Sequence, residues 1–285
     1  MNPRWIAPLL AFALLSIPAC GSGSKEGDKA AGDSGKKAEK KASGEAAKGK
    51  GKKPALAPPA KKEVPPEVFE RLGSKDPDER SDAVRRAAEG GKGAVPTLLG
   101  IVDKGSPEAR TASLLALGRI GDSAARKPVE ALLEKAESAE DRMGALQALG
   151  KFGGASSVPL LKKFLAYEAP VRFPPEADFM VAKGRETEQG LIRDQAAESL
   201  ARIGDFSGVP VLFENLLGNG WVRKDAIIRL RRMTGCKLDF GYNIGASHED
   251  RAKAVEAWKA WWAGKKGDWK PEWTESVAVF DLTKK

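Results

Sequence analysis

The stretch Ser106-Pro107-Glu108-Ala109-Arg110-Thr111-Ala112-Ser113-Leu114-Leu115-Ala116-Leu117-Gly118-Arg119-Ile120-Gly121-Asp122 decides how this chain folds. Ser106-Pro107 opens a helix, an N-cap residue followed by a proline whose missing N–H costs nothing in the first turn. Ala109, Ala112, Ala116, Leu117 and Ile120 then share one face at helical spacing. The small residues on that face let neighbouring helices approach closely. Gly121 follows, where a left-handed residue is wanted.

Working outward, the same pattern returns. An early-helix Arg recurs at Arg80, Arg110, Arg142, Arg193 and Arg223, in steps of 30, 32, 51 and 30 residues. A helix-ending Gly recurs at Gly91, Gly121, Gly153 and Gly204 in the matching steps of 30, 32 and 51. Val-Pro opens an alternate helix at Val95-Pro96, Val158-Pro159 and Val209-Pro210. Behind it stand apolar residues at i, i+3, i+4 and i+7, such as Val95, Leu98, Leu99 and Val102. Asp76-Pro77 and Ser138 supply further helix starts. A helix pair of about 31 residues cannot bury both faces alone, and stacking neighbours creates a continuous core. The fold class expected is all-α: an α-solenoid of about five helical hairpins over residues 63–235.

Here the residues reach a family. Ala116-Leu117-Gly118-Arg119-Ile120-Gly121-Asp122, Met143-Gly144-Ala145-Leu146-Gln147-Ala148-Leu149-Gly150 and Asp194-Gln195-Ala196-Ala197-Glu198-Ser199-Leu200-Ala201-Arg202-Ile203-Gly204 resemble the second helix of a HEAT-like repeat. More specifically, they resemble the short type named after phycobilisome lyases. The resemblance implies scaffolds and shape-reading surfaces, with the recurrent Arg as a structural residue.

The longer step of 51 marks an insertion at 166–190. Its Pro174-Pro175 excludes a continuous helix there, and Phe173, Phe179 and Met180 are apolar residues in an expected surface loop. Arg172, Phe173 and Phe179 are therefore candidate partner-binding residues. Residues 236–285 depart from the repeat. Ser247 and Asp250 frame a helix on which Val255, Trp258 and Trp262 share a face. This resembles the Trp-x-x-Trp-Trp closing module that follows HEAT-like repeats in exported bacterial proteins, and implies a Trp-rich capping helix. Trp269 and Trp273 beyond it are candidates for partner or glycan contact.

The N-terminus reads differently. Arg4, an apolar run from Trp5 to Pro18 broken only by Ser16, and Ala19 before Cys20 describe a secretory signal over residues 1–19. Ile17-Pro18-Ala19-Cys20 resembles a lipobox, which implies acylation of Cys20 and a membrane anchor. Gly21 resembles an outer-membrane address on the periplasmic side if the organism is Gram-negative. Residues 20–62 are Lys-, Ala- and Gly-rich, too poor in apolar side chains to fold, and are expected to be a disordered tether.

Charge excludes a nucleic-acid partner. The chain carries +9, but Gly21–Lys62 alone holds 12 Lys against 5 acids, leaving 35 basic and 34 acidic residues from Glu63 onward. A near-neutral folded part lacks a basic footprint. One His, His248, supplies neither a nucleophile triad nor a multi-His metal site. Cys236 is expected to be a small buried hydrophobe. No cofactor, metal or catalytic residue is expected. The expected role is a monomeric, membrane-anchored interaction scaffold for envelope proteins. The alternatives are a peptidoglycan-binding module using exposed Trp residues, or a hydrolase built on two acids of shifted pKa.

Overall fold

Side-chain caps set the helix starts. Asp76 Oδ1 accepts from the amide of Asp78 at 2.9 Å, opening α2 (Pro77–Glu89). Ser106 Oγ accepts from Ala109 at 3.2 Å to open α4 (Pro107–Ile120), and Ser138 Oγ from Asp141 at 3.1 Å to open α6 (Ala139–Phe152). Asn219 Oδ1 accepts from both Trp221 and Val222 to open α10 (Gly220–Met233). Ser247 Oγ accepts from Asp250 at 3.1 Å at the start of α11 (His248–Lys265). Each such cap contributes about 1 kcal/mol.

The computed structural model describes residues 63–170, 179–265 and 269–275. The signal at 1–19, Cys20, the tether at 20–62, Arg172, Phe173 and the apolar run Val277–Phe280 lie outside the described residues. The remaining helices are α1 (Pro66–Glu70), α3 (Val95–Lys104), α5 (Arg126–Lys135), α7 (Val158–Lys163), α8 (Phe179–Ile203) and α9 (Val209–Asn215). Pro96, Pro159 and Pro210 stand in the first turns of α3, α7 and α9. The fold is the expected all-α solenoid. Its hairpins are α1–α2, α3–α4, α5–α6, α7–α8 and α9–α10, and the second helices pack directly on one another along the series. The β structure in the described residues is one isolated bridge, Thr234 to Glu272.

Small residues make the stacking close. A Cβ placed on Gly118 would lie 3.5 Å from Cα of Ala148, and one on Gly150 would lie 2.9 Å from Cα of Ser199. Ser199 Oγ donates to the Leu146 carbonyl at 2.7 Å across the same contact. Gly121 and Gly204 end their helices in the left-handed region, at φ 71° and 97°. In the third hairpin the positive φ, 70°, falls on Gly154, one residue past the marker Gly153.

The recurrent Arg ties each helix start to the chain before it. It is the fourth helical residue in α2, α4, α6 and α10. Arg80 donates to the Ser74 carbonyl at 2.5 Å, Arg142 to Glu137 at 3.1 Å and Arg223 to Gly218 at 3.4 Å. Arg251 does the same to Ala246 in α11, a further member that the spacing did not flag. Arg110 instead reaches the next hairpin, with Nε and Nη2 on the two oxygens of Asp141 at 3.2 and 2.9 Å.

Three expectations need correction. The insertion is not loop throughout: Phe179 and Met180 begin the 25-residue α8, and Arg193 lies inside it rather than near its start. No proline follows Pro175 before the repeat resumes, so helix-forming residues extend α8 backward. Side chains hold that extension: Arg185 Nε donates to the Ala169 carbonyl at 2.8 Å, Tyr167 Oη donates to Glu188 at 2.7 Å, and Arg193 Nε donates to the Tyr167 carbonyl at 2.8 Å. Finally, Cys236 is exposed, not buried. It sits at φ 59° in the turn after α10, its amide donating to Arg231 at 2.8 Å, and this turn aims the side chain outward.

The end of the stack is closed by aromatic rings. α11 packs on α9. Trp258 has no exposed surface and meets Phe213 at 5.9 Å and Phe240 at 4.9 Å between ring centroids. Tyr242 is buried beside it and donates to the Leu216 carbonyl at 2.6 Å, and burial pushes its hydroxyl up to about 12. Ring pairs of this kind add about 0.5–1.5 kcal/mol each beyond their burial.

Candidate functional site

From α4 onward, every second helix ends in a cation at the same place in its repeat. These are Arg119 in α4, Lys151 in α6, Arg202 in α8 and Arg232 in α10. Their steps of 32, 51 and 30 residues repeat those of the helix-start Arg. A cation in the last turn is favoured by the partial negative charge of the helix C-terminus. The helices that carry Arg119 and Lys151 pack on each other, and a Cβ on Gly118, next in sequence to Arg119, would lie 3.8 Å from Cγ of Lys151. In α2 the corresponding residue is Glu89, paired with Arg85 at 2.9 Å, so the row stops there.

Beneath the row lies a buried charge network between α8 and α10. Glu198 accepts from Arg202 at 2.8 and 3.0 Å and from Arg229, and Arg232 stands 3.9 Å away. Burial works against its ionisation, but Arg229, Arg202 and Arg232 outweigh burial and hold the carboxyl at about 2. Arg229 also grips Asp225 at 2.6 Å and Gln195 at 3.1 Å. Asp194 behaves oppositely. Burial, and then Asp225, raise its carboxyl well above the ordinary carboxylate range, while Arg229 and Asn215 offset only part of this. Asn215 Nδ2 donates to its Oδ1 at 2.6 Å, and its Oδ2 has no partner. With no exposed surface, Asp194 cannot meet a substrate. These acids bind helix to helix. Among the described residues no three His, Cys, Asp or Glu converge to hold a metal ion, and no helix is long and apolar enough to cross a membrane.

Residues 269–275 cross the row. The amides of Glu272 and Thr274 donate to the carbonyls of Met233 and Arg232 at 2.8 and 2.9 Å, at the end of α10. Arg202 lies over the Trp273 ring, 4.3 Å from its centroid. Glu275 accepts from Lys151 and Arg202, each at 3.2 Å. Partial burial opposes its ionisation, but Arg202 and Lys151 prevail and lower its carboxyl. At the other end Lys237 pairs with Glu272.

Of the residues singled out from sequence, Cys20, Arg172 and Phe173 lie outside the described residues, and Phe179 heads α8. Trp269 and Trp273 are half-buried against their own chain. Trp269 meets Phe206 at 5.2 Å and Trp262 at 5.4 Å, and Trp273 stands under Arg202. The exposed indole among the described residues is Trp221, 46 % accessible, at the start of α10. Sequence reading passed over Lys151, Arg202 and Glu275. Aligning the repeats on their closing Gly would have exposed the row, because Gly118-Arg119 and Gly150-Lys151 stand in register.

A comparison with curated proteins gives no match. A family model of HEAT repeats matches residues 65–147 and 95–173. Residues 65–173 thus carry HEAT-like repeats, an architecture generally found in non-catalytic interaction scaffolds.

Proposed function

We propose that this chain is a membrane-anchored, non-catalytic protein–protein interaction scaffold of the cell envelope. The observation that carries this is the stack itself: HEAT-like repeats over 65–173 are continued by further hairpins to α10, and from α4 onward each second helix presents a cation at an equivalent place. Such a surface contacts a partner many times along its length, and that suits a scaffold better than a catalytic centre does. The signal-like start and the lipobox-like Ile17-Pro18-Ala19-Cys20 support export and a lipid on Cys20. The Lys-rich 20–62 then spaces the repeats from the bilayer, and in a Gram-negative organism Gly21 favours the periplasmic side of an outer membrane. The repeat length agrees with the short type named after phycobilisome lyases.

In-cell labelling with an alkyne fatty acid, followed by cross-linking and mass spectrometry, tests both halves. The wild-type chain takes up label and yields defined envelope proteins, and Cys20→Ser loses the label. An unlabelled wild-type chain overturns the anchor, and cross-linking that recovers no protein partner overturns the scaffold. A glycan-binding reading finds one supporting observation, the exposed Trp221 with Lys224 Nζ 6.0 Å from its ring centroid. Retention on purified peptidoglycan that Trp221→Ala abolishes would favour it.

A further inference from the structure

We infer that the row Arg119, Lys151 and Arg202 is a docking strip for an extended acidic peptide of a partner protein, and that residues 273–275 are a built-in ligand which such a partner displaces. The inference rests on the scaffold reading and specifies its surface and its partner's chemistry.

Three observations converge. First, the cations are equivalent by repeat, so they form a row at a regular interval. Packed helices stand about 8–10 Å apart. An extended chain advances about 3.3 Å per residue, so a peptide with acids three positions apart meets one cation per repeat. Second, the chain's own segment already seats an acid on the row. Glu275 pairs with both Arg202 and Lys151, while Glu272, three residues earlier, pairs with Lys237 outside the row. Its backbone is extended enough to bridge to Thr234, and Trp273 between the two acids stacks beneath Arg202. Third, the strip runs on past the segment. Arg119 is exposed on α4, has no ion-pair partner among the described residues, and follows Gly118, which faces the Lys151 side chain.

The chemistry favours exchange over permanent closure. Glu275 is 59 % exposed, and its pairs with Lys151 and Arg202 sit where water and salt screen them. A peptide that reaches Arg119 as well gains a contact that residues 273–275 do not make. Glu198 remains beneath Arg202 in either state and holds the guanidinium in place.

The test uses the full chain and a fluorescein-labelled peptide of its own sequence, Trp269-Lys270-Pro271-Glu272-Trp273-Thr274-Glu275. Glu275→Gln in the chain weakens the internal ligand, so the peptide should bind that variant at least tenfold more tightly than wild type. Adding Lys151→Glu should remove the gain, and a peptide carrying the Gln should bind neither. A Glu275→Gln chain of unchanged melting temperature that ignores the peptide, or binds it regardless of Lys151, overturns the inference. A second measurement needs no variant: excess peptide on the wild-type chain should speed hydrogen exchange at the amides of Glu272 and Thr274, and unchanged exchange at saturating peptide would count against displacement. The two readings fail separately. A cross-linked partner seated on the first helices, with the peptide unbound, ends the strip and leaves the scaffold. A bound peptide with no protein partner in cells does the reverse.

Discussion

Between α4 and α6 two helices meet through Gly118 and Ala148, whereas between α9 and α11 they meet through Phe213 and Trp258. In the first region a small residue recurs once per repeat and lets backbones touch. In the second, large rings fill a space that no repeat defines. The first kind of packing is local and periodic, and the second is a single assembly of residues from α9, α11 and the turns around them. The charge network of Glu198, Arg202 and Arg229 lies at α8, which gives Ile192, Ala196 and Leu200 to one hydrophobic cluster and Ala197 and Ala201 to the other.

Removing the fully buried indole should break the second region alone. Trp258→Ala empties a site with no exposed surface, and Trp→Ala in a core costs about 3–5 kcal/mol. A two-step melt is expected, with α9–α11 lost first. A single transition at the wild-type temperature would contradict a separate aromatic cluster.

Severing the join comes next. Glu198→Gln leaves three guanidinium groups short of a carboxylate, and breaking a buried pair costs about 3 kcal/mol or more. The pH dependence has a definite sign. The carboxyl lies at about 2 in the folded chain against an ordinary 4.5. A lowered value contributes stability that is present above pH 4.5 and lost as pH falls toward 2. Urea titrations across that window should be steeper in pH for wild type than for Glu198→Gln.

The periodic region is sharpened by a paired substitution. Gly150→Ala forces a methyl to 2.9 Å from Cα of Ser199, so α6 and α8 must part, at about 1–3 kcal/mol. Gly118→Ala meets Ala148 at 3.5 Å, an ordinary contact, and the gain in helix propensity of up to about 1 kcal/mol should leave it neutral or stabilising. Equal effects at the two sites, by thermal melting, would mean that the close approach is not where the structure puts it.

The contrast also explains what could be read from the sequence. Ser106, Ser138 and Asp76 announced helix starts because capping is a local interaction, complete within four residues. Ala109, Ala112 and Ala116 announced the stacked face because helical spacing writes it into the chain. Val255, Trp258 and Trp262 were legible as a buried face for the same reason. The backward extension of α8 was hidden, because Pro174-Pro175 dominated the reading while Arg185, Glu188 and Arg193 bind it through tertiary contacts. Cys236 was misjudged from residue type, although a turn beginning at Gly235 controls where it points. The strip was half legible. Arg119, Lys151 and Arg202 obey the period, but nothing in the order of residues said that Glu275 would return to two of them, across 124 and 73 positions.

The smallest expected effect is a gain. Burial and Asp225 raise the Asp194 carboxyl, so its charged form weakens the fold. Stability tied to such a raised group is fully present below its unfolded value and fades as pH rises through the folded one. Asp194→Asn keeps an acceptor for Asn215 and should melt slightly higher than wild type at pH 8, with the difference closing at low pH. A lower melting point at pH 8 would assign Asp194 a stabilising role instead.

Hydrogen–deuterium exchange of the full chain tests the central claim, that one stack of hairpins continues past the matched repeats to α10. Amides in α10 and in α8 from Gln189 onward should be as strongly protected as those of α4 and α6. Protection confined to α2 through α6, with α8 and α10 exchanging at the rate of loops, would contradict it.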